Sequence, residues 1–332
     1  MDDDQAATAP NVPARAKTFG WIARLAVAAV LVFLILRSID IGELMQAIVS
    51  PAWVPLGGMV ITALVFLVLG AVKVWILLGA LAPVRFETVL RYAVVAASLG
   101  TFTPAAVGDF SLVGFLRREG VPVHQGLSTM LVDRAITFAT YGLIFMPLTL
   151  VVVLGSDQWL WVPALVGVGI AAGLALNLYL PFRRWLRERV VQRFVPRLED
   201  FLRTFSDLLR RHPARLAANI GVTLVRAVVS GAVIYCALLA AGTRADFFPV
   251  TIITNSLSLL IYLPISISGV GVYEGGAVAV FGYLGLSSER VLAAFVFQRL
   301  YIIGSSLVFL ALTRLVLPAP GEPHSSPPTE VT

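Results

Sequence analysis

The sequence predicts an all-α polytopic membrane protein, with about six full transmembrane helices and two re-entrant hairpins in an inverted-topology repeat. Three observations carry that prediction. Of 332 residues, 58% are hydrophobic and 13% charged, against about 25% charged in soluble globular domains. The apolar residues form long runs punctuated by glycine and proline, which suits helical spans better than the short alternating strands of a barrel. A pattern of acid, glycine and arginine then occurs twice at one offset. The net charge of +6 does not mark a nucleic-acid partner, because the basic residues lie between apolar spans and serve to orient them. Cys236, the single cysteine, sits in an apolar run, and His124, His212 and His324 are scattered. Neither a disulfide framework, a metal site nor a cofactor is expected.

Residues 1–18 are polar and Ala/Pro-rich, without a cleavage signal after the first apolar run, so a disordered tail and a retained helix are expected. Residues 19–317 form a single membrane domain, with halves of about 19–155 and 156–317. Spans are expected at 20–36, 53–81, 125–154, 159–180, 216–241 and 291–317. Two further apolar regions are interrupted: 89–116 by Gly100, Pro104, Gly108 and Asp109, and 247–284 by Pro264, Gly269, Gly271, Glu274 and Gly275. The Pro-rich residues 318–332 are read as a second disordered tail.

Charge sets the orientation. Residues 182–215 hold ten arginines against four acids, which places that segment in the cytoplasm. Its apolar residues recur at three- and four-residue spacing, predicting an amphipathic helix or two on the inner leaflet. If 89–116 crossed fully, Arg15, Lys17 and Arg24 would lie opposite the arginine-rich segment. Read instead as hairpins, the first interrupted region enters from the cytoplasm and the second from outside, leaving both termini cytoplasmic.

Asp109, Gly120 and Arg134 precede Glu274, Gly285 and Arg299 by 165 residues. The same shift carries the second span onto the segment that begins near Leu216. One half starts inside and the other outside, the inverted repeat that transporters use to build a site near the midplane. A buried arginine costs about 2.5–3.5 kcal/mol on insertion scales and needs a partner or a wet cavity. Arg134 and Arg299, each about ten residues into a span, reach the midplane from opposite faces, with Asp109 and Glu274 as natural partners. The plainer reading is two ion pairs that hold hairpins to helices. The functional one is a chamber where the guanidinium forks take a lipid phosphate. Asp133 points to a different helix face from Arg134. Asn255, Ser266 and Ser268 are secondary candidates for bonding either the opened hairpin backbone or a substrate. Lys73 and Arg226 either snorkel or pack, the preferred reading, or line a cavity.

The runs Thr103–Asp109 and Pro264–Gly275, each followed by a span bearing Arg134 or Arg299, resemble the membrane region of lysylphosphatidylglycerol synthase and its stand-alone flippase-like relatives. The resemblance covers about residues 20–317. It implies a role in moving lipids, such as aminoacylated phosphatidylglycerol, between leaflets, or a place near polyprenol-glycan or hopanoid pathways. No soluble aminoacyl-transferring domain follows in this sequence, so the synthase activity is not expected.

The leading functional expectation is therefore a non-enzymatic lipid translocase or lipid-binding transporter of the bacterial inner membrane, with membrane lipids and lipid-biosynthesis enzymes as partners. No Walker A motif is present, so direction would come from a gradient, a partner or downstream consumption. The competing classes are a membrane transferase on a polyprenyl-phosphate lipid, with Asp109 or Glu274 as general base, and a scaffold for lipid synthesis. The transferase lacks the clustered carboxylates that hold Mg²⁺.

Overall fold

The computed structural model of the chain describes residues 29–30, 32–103, 105–155, 207, 210–262 and 269–313, all of whose regular structure is helical. The amphipathic segment at 182–215, both tails and the span at 159–180 lie wholly or mostly outside these residues, as do Pro104, Pro264, Ser266 and Ser268. Among the described residues four helices have the length and apolarity to cross a membrane: Trp53–Leu78, Val123–Leu154, Pro213–Ala240 and Ser288–Ala311. Their outward sides present Ile61, Val225, Leu300 and Leu307 to the surroundings. Such apolar walls are stable only against hydrocarbon.

After helical residues at 29–30 and 32–37, the first elements with both ends described are α1 (Ile41–Val49) and α2 (Trp53–Leu78). Asp40 caps α1 by accepting from Gly42 N (2.7 Å) and Glu43 N (3.2 Å), which satisfies two of the donors that a helix start leaves unpaired. This short helix joins two expected spans and was not foreseen. It buries Leu44 and exposes Ile41, Met45 and Val49, the division expected of a helix lying in the interface.

Next come α3 (Phe86–Phe102) and α4 (Ala105–Arg118), then α5 (Val123–Thr140), a π turn at Tyr141–Phe145 and α6 (Met146–Leu154). Pro147 begins α6. Lacking an N–H, it cannot close the bond to the preceding turn, and the wide turn absorbs that defect. Then follow α7 (Pro213–Ala240), α8 (Phe247–Leu257) with a 3₁₀ turn at Ser258–Tyr262, α9 (Val272–Tyr283) and α10 (Ser288–Ala311).

Helices α2 and α7 pack side by side and antiparallel. Ala52 N bonds Ala240 O (2.9 Å) at one end, and Arg215 reaches Ile76 O (3.5 Å) at the other. Both interrupted regions are hairpins that return to the end they left. Near the mouth of the first, the Tyr92 hydroxyl of α3 bonds the Glu119 carboxylate just past α4. At the mouth of the second, Arg290 donates to Gly242 O (2.6 Å) and pairs with Glu43 of α1 (3.3 Å). The first hairpin opens at the Arg215 end of the α2–α7 pair, the second at the Ala240 end.

The 165-residue offset recurs in the backbone. After α4, Gly120 N bonds Arg117 O and Val121 N bonds Leu116 O; after α9, Gly285 N bonds Gly282 O and Leu286 N bonds Phe281 O. Both are Schellman turns, and both need a left-handed residue, supplied by Gly120 (φ 79°) and Gly285 (φ 82°). One expectation needs correction. Gly108 and Asp109 lie inside α4, and Glu274 and Gly275 inside α9, so they do not break their hairpins. Close packing keeps the glycines there: a Cβ on Gly108 would lie 2.8 Å from Ala96 O and 3.0 Å from the Gly100 Cα. Gly275 faces Ile35.

Candidate functional site

Helix α9 begins about halfway through the bundle, at Gly271, whose φ of 81° is open to glycine without strain. Glu274, in its first turn, accepts from Gly271 N through Oε2 (2.8 Å). Through Oε1 it accepts from Arg299 Nε (2.6 Å). A carboxylate is favoured at this position because the helix start presents unpaired N–H groups and the positive end of the dipole. Arg299 lies eleven residues into α10, about 16 Å along its axis. The expected partners thus meet near mid-depth, with Glu274 buried and Arg299 part-buried. Tyr273 seals one side by stacking edge-on against Phe295 (5.1 Å between ring centres). Gly269 (φ 73°) lies just before this start, packed on Ile261.

The matching site in the first half is only partly described. Arg134 lies eleven residues into α5 and is part-buried; Asp109 is on α4, its side chain outside the described residues. Asn255 is fully buried and donates to Ala227 O (2.9 Å) and Thr251 O (2.7 Å). It therefore ties α8 to α7, a different task from bonding an opened hairpin.

A second charged centre was not anticipated. Lys73 does not snorkel: its ammonium is enclosed, 3.1 Å from Asp133 Oδ1 and 2.7 Å from Thr137 Oγ1. Asn219 of α7 joins them by donating to Lys73 O (3.0 Å) and Asp133 Oδ1 (3.2 Å). Asp133 does face a neighbouring helix, as its offset from Arg134 suggested. In the sequence Lys73 and the adjacent Asp133 and Arg134 stand out as charges within apolar runs, but nothing there pairs Lys73 with Asp133. Arg226 does not snorkel either. Its guanidinium stacks on the Phe66 ring (3.7 Å to the centre), and Nε donates to Phe66 O (3.3 Å). Arg134 and Arg226 both lie within Coulomb range of Lys73, which concentrates positive charge where α2, α5 and α7 meet.

Between α2, α3, α7 and α10 lies a cavity of about 180 Å³. Its wall carries Ser98, Thr101, Ser230, Gln298, Tyr301 and Ser306 among apolar residues. Thr101 and Ser306 hydrogen-bond across it (3.0 Å). A polar lining inside an apolar bundle can solvate part of a ligand that the lipid phase cannot. No group of three or more metal-binding side chains occurs among the described residues.

Comparison with known proteins agrees with this architecture. A UPF0104 membrane protein of Methanothermobacter thermautotrophicus is 25% identical over 227 residues, which are 60% of this chain and 64% of that protein. The match thus takes in somewhat less than two thirds of the relative's length. The family model described as the lysylphosphatidylglycerol synthase TM region matches residues 21–309. That match takes in every described helix from the first residues to the end of the Glu274–Arg299 site, and on it the chain belongs to the lysylphosphatidylglycerol synthase TM region family.

Proposed function

We propose that the protein is a lipid translocase of the bacterial inner membrane, with both termini in the cytoplasm. It binds an anionic phospholipid, polyprenyl-linked or hopanoid-type lipid by its head group and passes it between leaflets. The observation that carries this reading is the Glu274–Arg299 pair at the start of a half-length helix near mid-depth. A guanidinium there is costly, yet one partner is already shared with backbone: Glu274 also bonds Gly271 N. A lipid phosphate can therefore take Arg299 through a bidentate contact while Glu274 keeps its place on the helix start. Hairpins opening at opposite ends of the α2–α7 pair suit an inverted repeat whose halves rock around a central site.

The test is leaflet exchange of labelled phosphatidylglycerol in vesicles holding the full chain. Arg134→Ala and Arg299→Ala, checked for folding by chromatography and thermal unfolding, should each slow exchange at least tenfold. Wild-type rates in both folded variants would remove the arginines from the mechanism.

A further inference from the structure

Arg226 is the fourteenth of 28 residues in α7, about 20 Å from either end at 1.5 Å per residue. It is thus as deep in the bundle as Arg299. Among the described residues no carboxylate lies within ion-pair distance of it. Its charge rests on the Phe66 ring, and only Nε has a hydrogen-bond acceptor. A guanidinium carries five donors, so the outward edge of the fork is unspent in a place where unspent donors are expensive.

What adjoins this fork gives it a use. Phe66, under the guanidinium, also forms part of the cavity wall, and Ser230, one helical turn from Arg226, lines the same cavity. Neither Ser230 nor Gln298, opposite it on α10, spends its side chain on a hydrogen bond to another described residue. The remaining wall on α10 sets Ile302 and Phe309 beside the hydroxyl residues Tyr301, Ser305 and Ser306. About 180 Å³ is below the roughly 300–1,000 Å³ that drug-sized ligands occupy. It can admit a head group, with acyl chains left along the apolar outer face.

We infer that the cavity between α2, α3, α7 and α10 is a binding site for the phosphodiester of an anionic lipid, with Arg226 as its cation and Ser230 and Gln298 as its neutral contacts. Arg226 exchanges the Phe66 face for the phosphate, trading a cation–π contact for a charged, bidentate one. This inference rests on the lipid reading above but uses different residues from the Glu274–Arg299 pair. The cavity site and that pair then offer two successive stations for one head group.

The experiment is native mass spectrometry of the purified full chain with phosphatidylglycerol, phosphatidylcholine or acyl-free glycerol phosphate. Wild type should retain phosphatidylglycerol in preference to phosphatidylcholine, and glycerol phosphate at equal concentration should not displace it. Arg226→Gln should lower retention at least tenfold, with partial recovery in Arg226→Lys. Ala97→Phe, which fills the cavity and leaves every charge in place, should do the same. Retention at wild-type levels in both Arg226→Gln and Ala97→Phe would overturn the site. If wild-type vesicles still exchange lipid in that case, the translocase reading survives. Displacement by glycerol phosphate would overturn the assignment to a lipid. A wild type that neither retains nor exchanges anionic lipid would overturn both proposals.

Discussion

Lys73 and Asp133 sit 3.1 Å apart with 2% and 8% of their side chains exposed. An enclosed pair of this kind contributes little net stability against an apolar replacement, but removing one partner strands the other. Asp133→Ala should therefore cost about 3–5 kcal/mol, read as a fall in unfolding temperature of the purified protein. Lys73→Met with Asp133→Leu should recover most of that loss. The six residues of the repeated pattern were legible in the sequence because each acid, glycine and arginine stands out in an apolar background at a fixed offset. The Lys73–Asp133 pair was not, since its members lie 60 residues apart on helices whose contact no local pattern records. The cavity was less visible still: serines and threonines in helices usually bond their own backbone, as Ser98 does to Val94 O, and only the packing of four helices turns them toward one space.

At the scale of elements, breakers in the sequence located both hairpins and the breaks within them, after Phe102 and before Val272, but also counted the helical residues Gly108, Asp109, Glu274 and Gly275 as interruptions. Glycine inside a helix reads as an interruption when only propensity is considered; close packing can require it. Gly231 shows how close these helices come. A Cβ there would overlap Thr251 Oγ1 and lie 2.7 Å from Thr251 Cα, so α7 and α8 meet nearly backbone to backbone. Gly231→Ala should destabilise the protein by about 1–3 kcal/mol through overpacking, measured by thermal unfolding in detergent. A smaller change at Gly57, where nothing crowds the added Cβ, provides the comparison. Schellman turns follow α4 and α9 at the 165-residue offset, and a third closes α7 at Gly242.

For the whole molecule, hydropathy located every described crossing helix, because apolar runs of this length have few other uses. The interfacial helix α1 escaped notice since nine residues make too short a run. Hairpins that return to the same end make a direct topological prediction. In a cysteine-free background, Glu87→Cys and Arg118→Cys should react with an impermeant thiol reagent from one side of the membrane, and Phe248→Cys and Tyr283→Cys from the other. Opposite-side labelling within either pair would mean that the region crosses instead of returning.

We propose that this bundle carries an anionic head group through the bilayer by way of its buried guanidinium groups. The most direct measurement is the rate at which labelled phosphatidylglycerol changes leaflet in vesicles of wild-type protein, of Arg299→Lys and of lipid alone. Lysine keeps the charge and the pairing with Glu274 but loses the planar fork. Exchange should be fast with wild type and at least tenfold slower with Arg299→Lys, at nearly unchanged unfolding temperature. Wild-type vesicles that exchange no faster than lipid alone would contradict it.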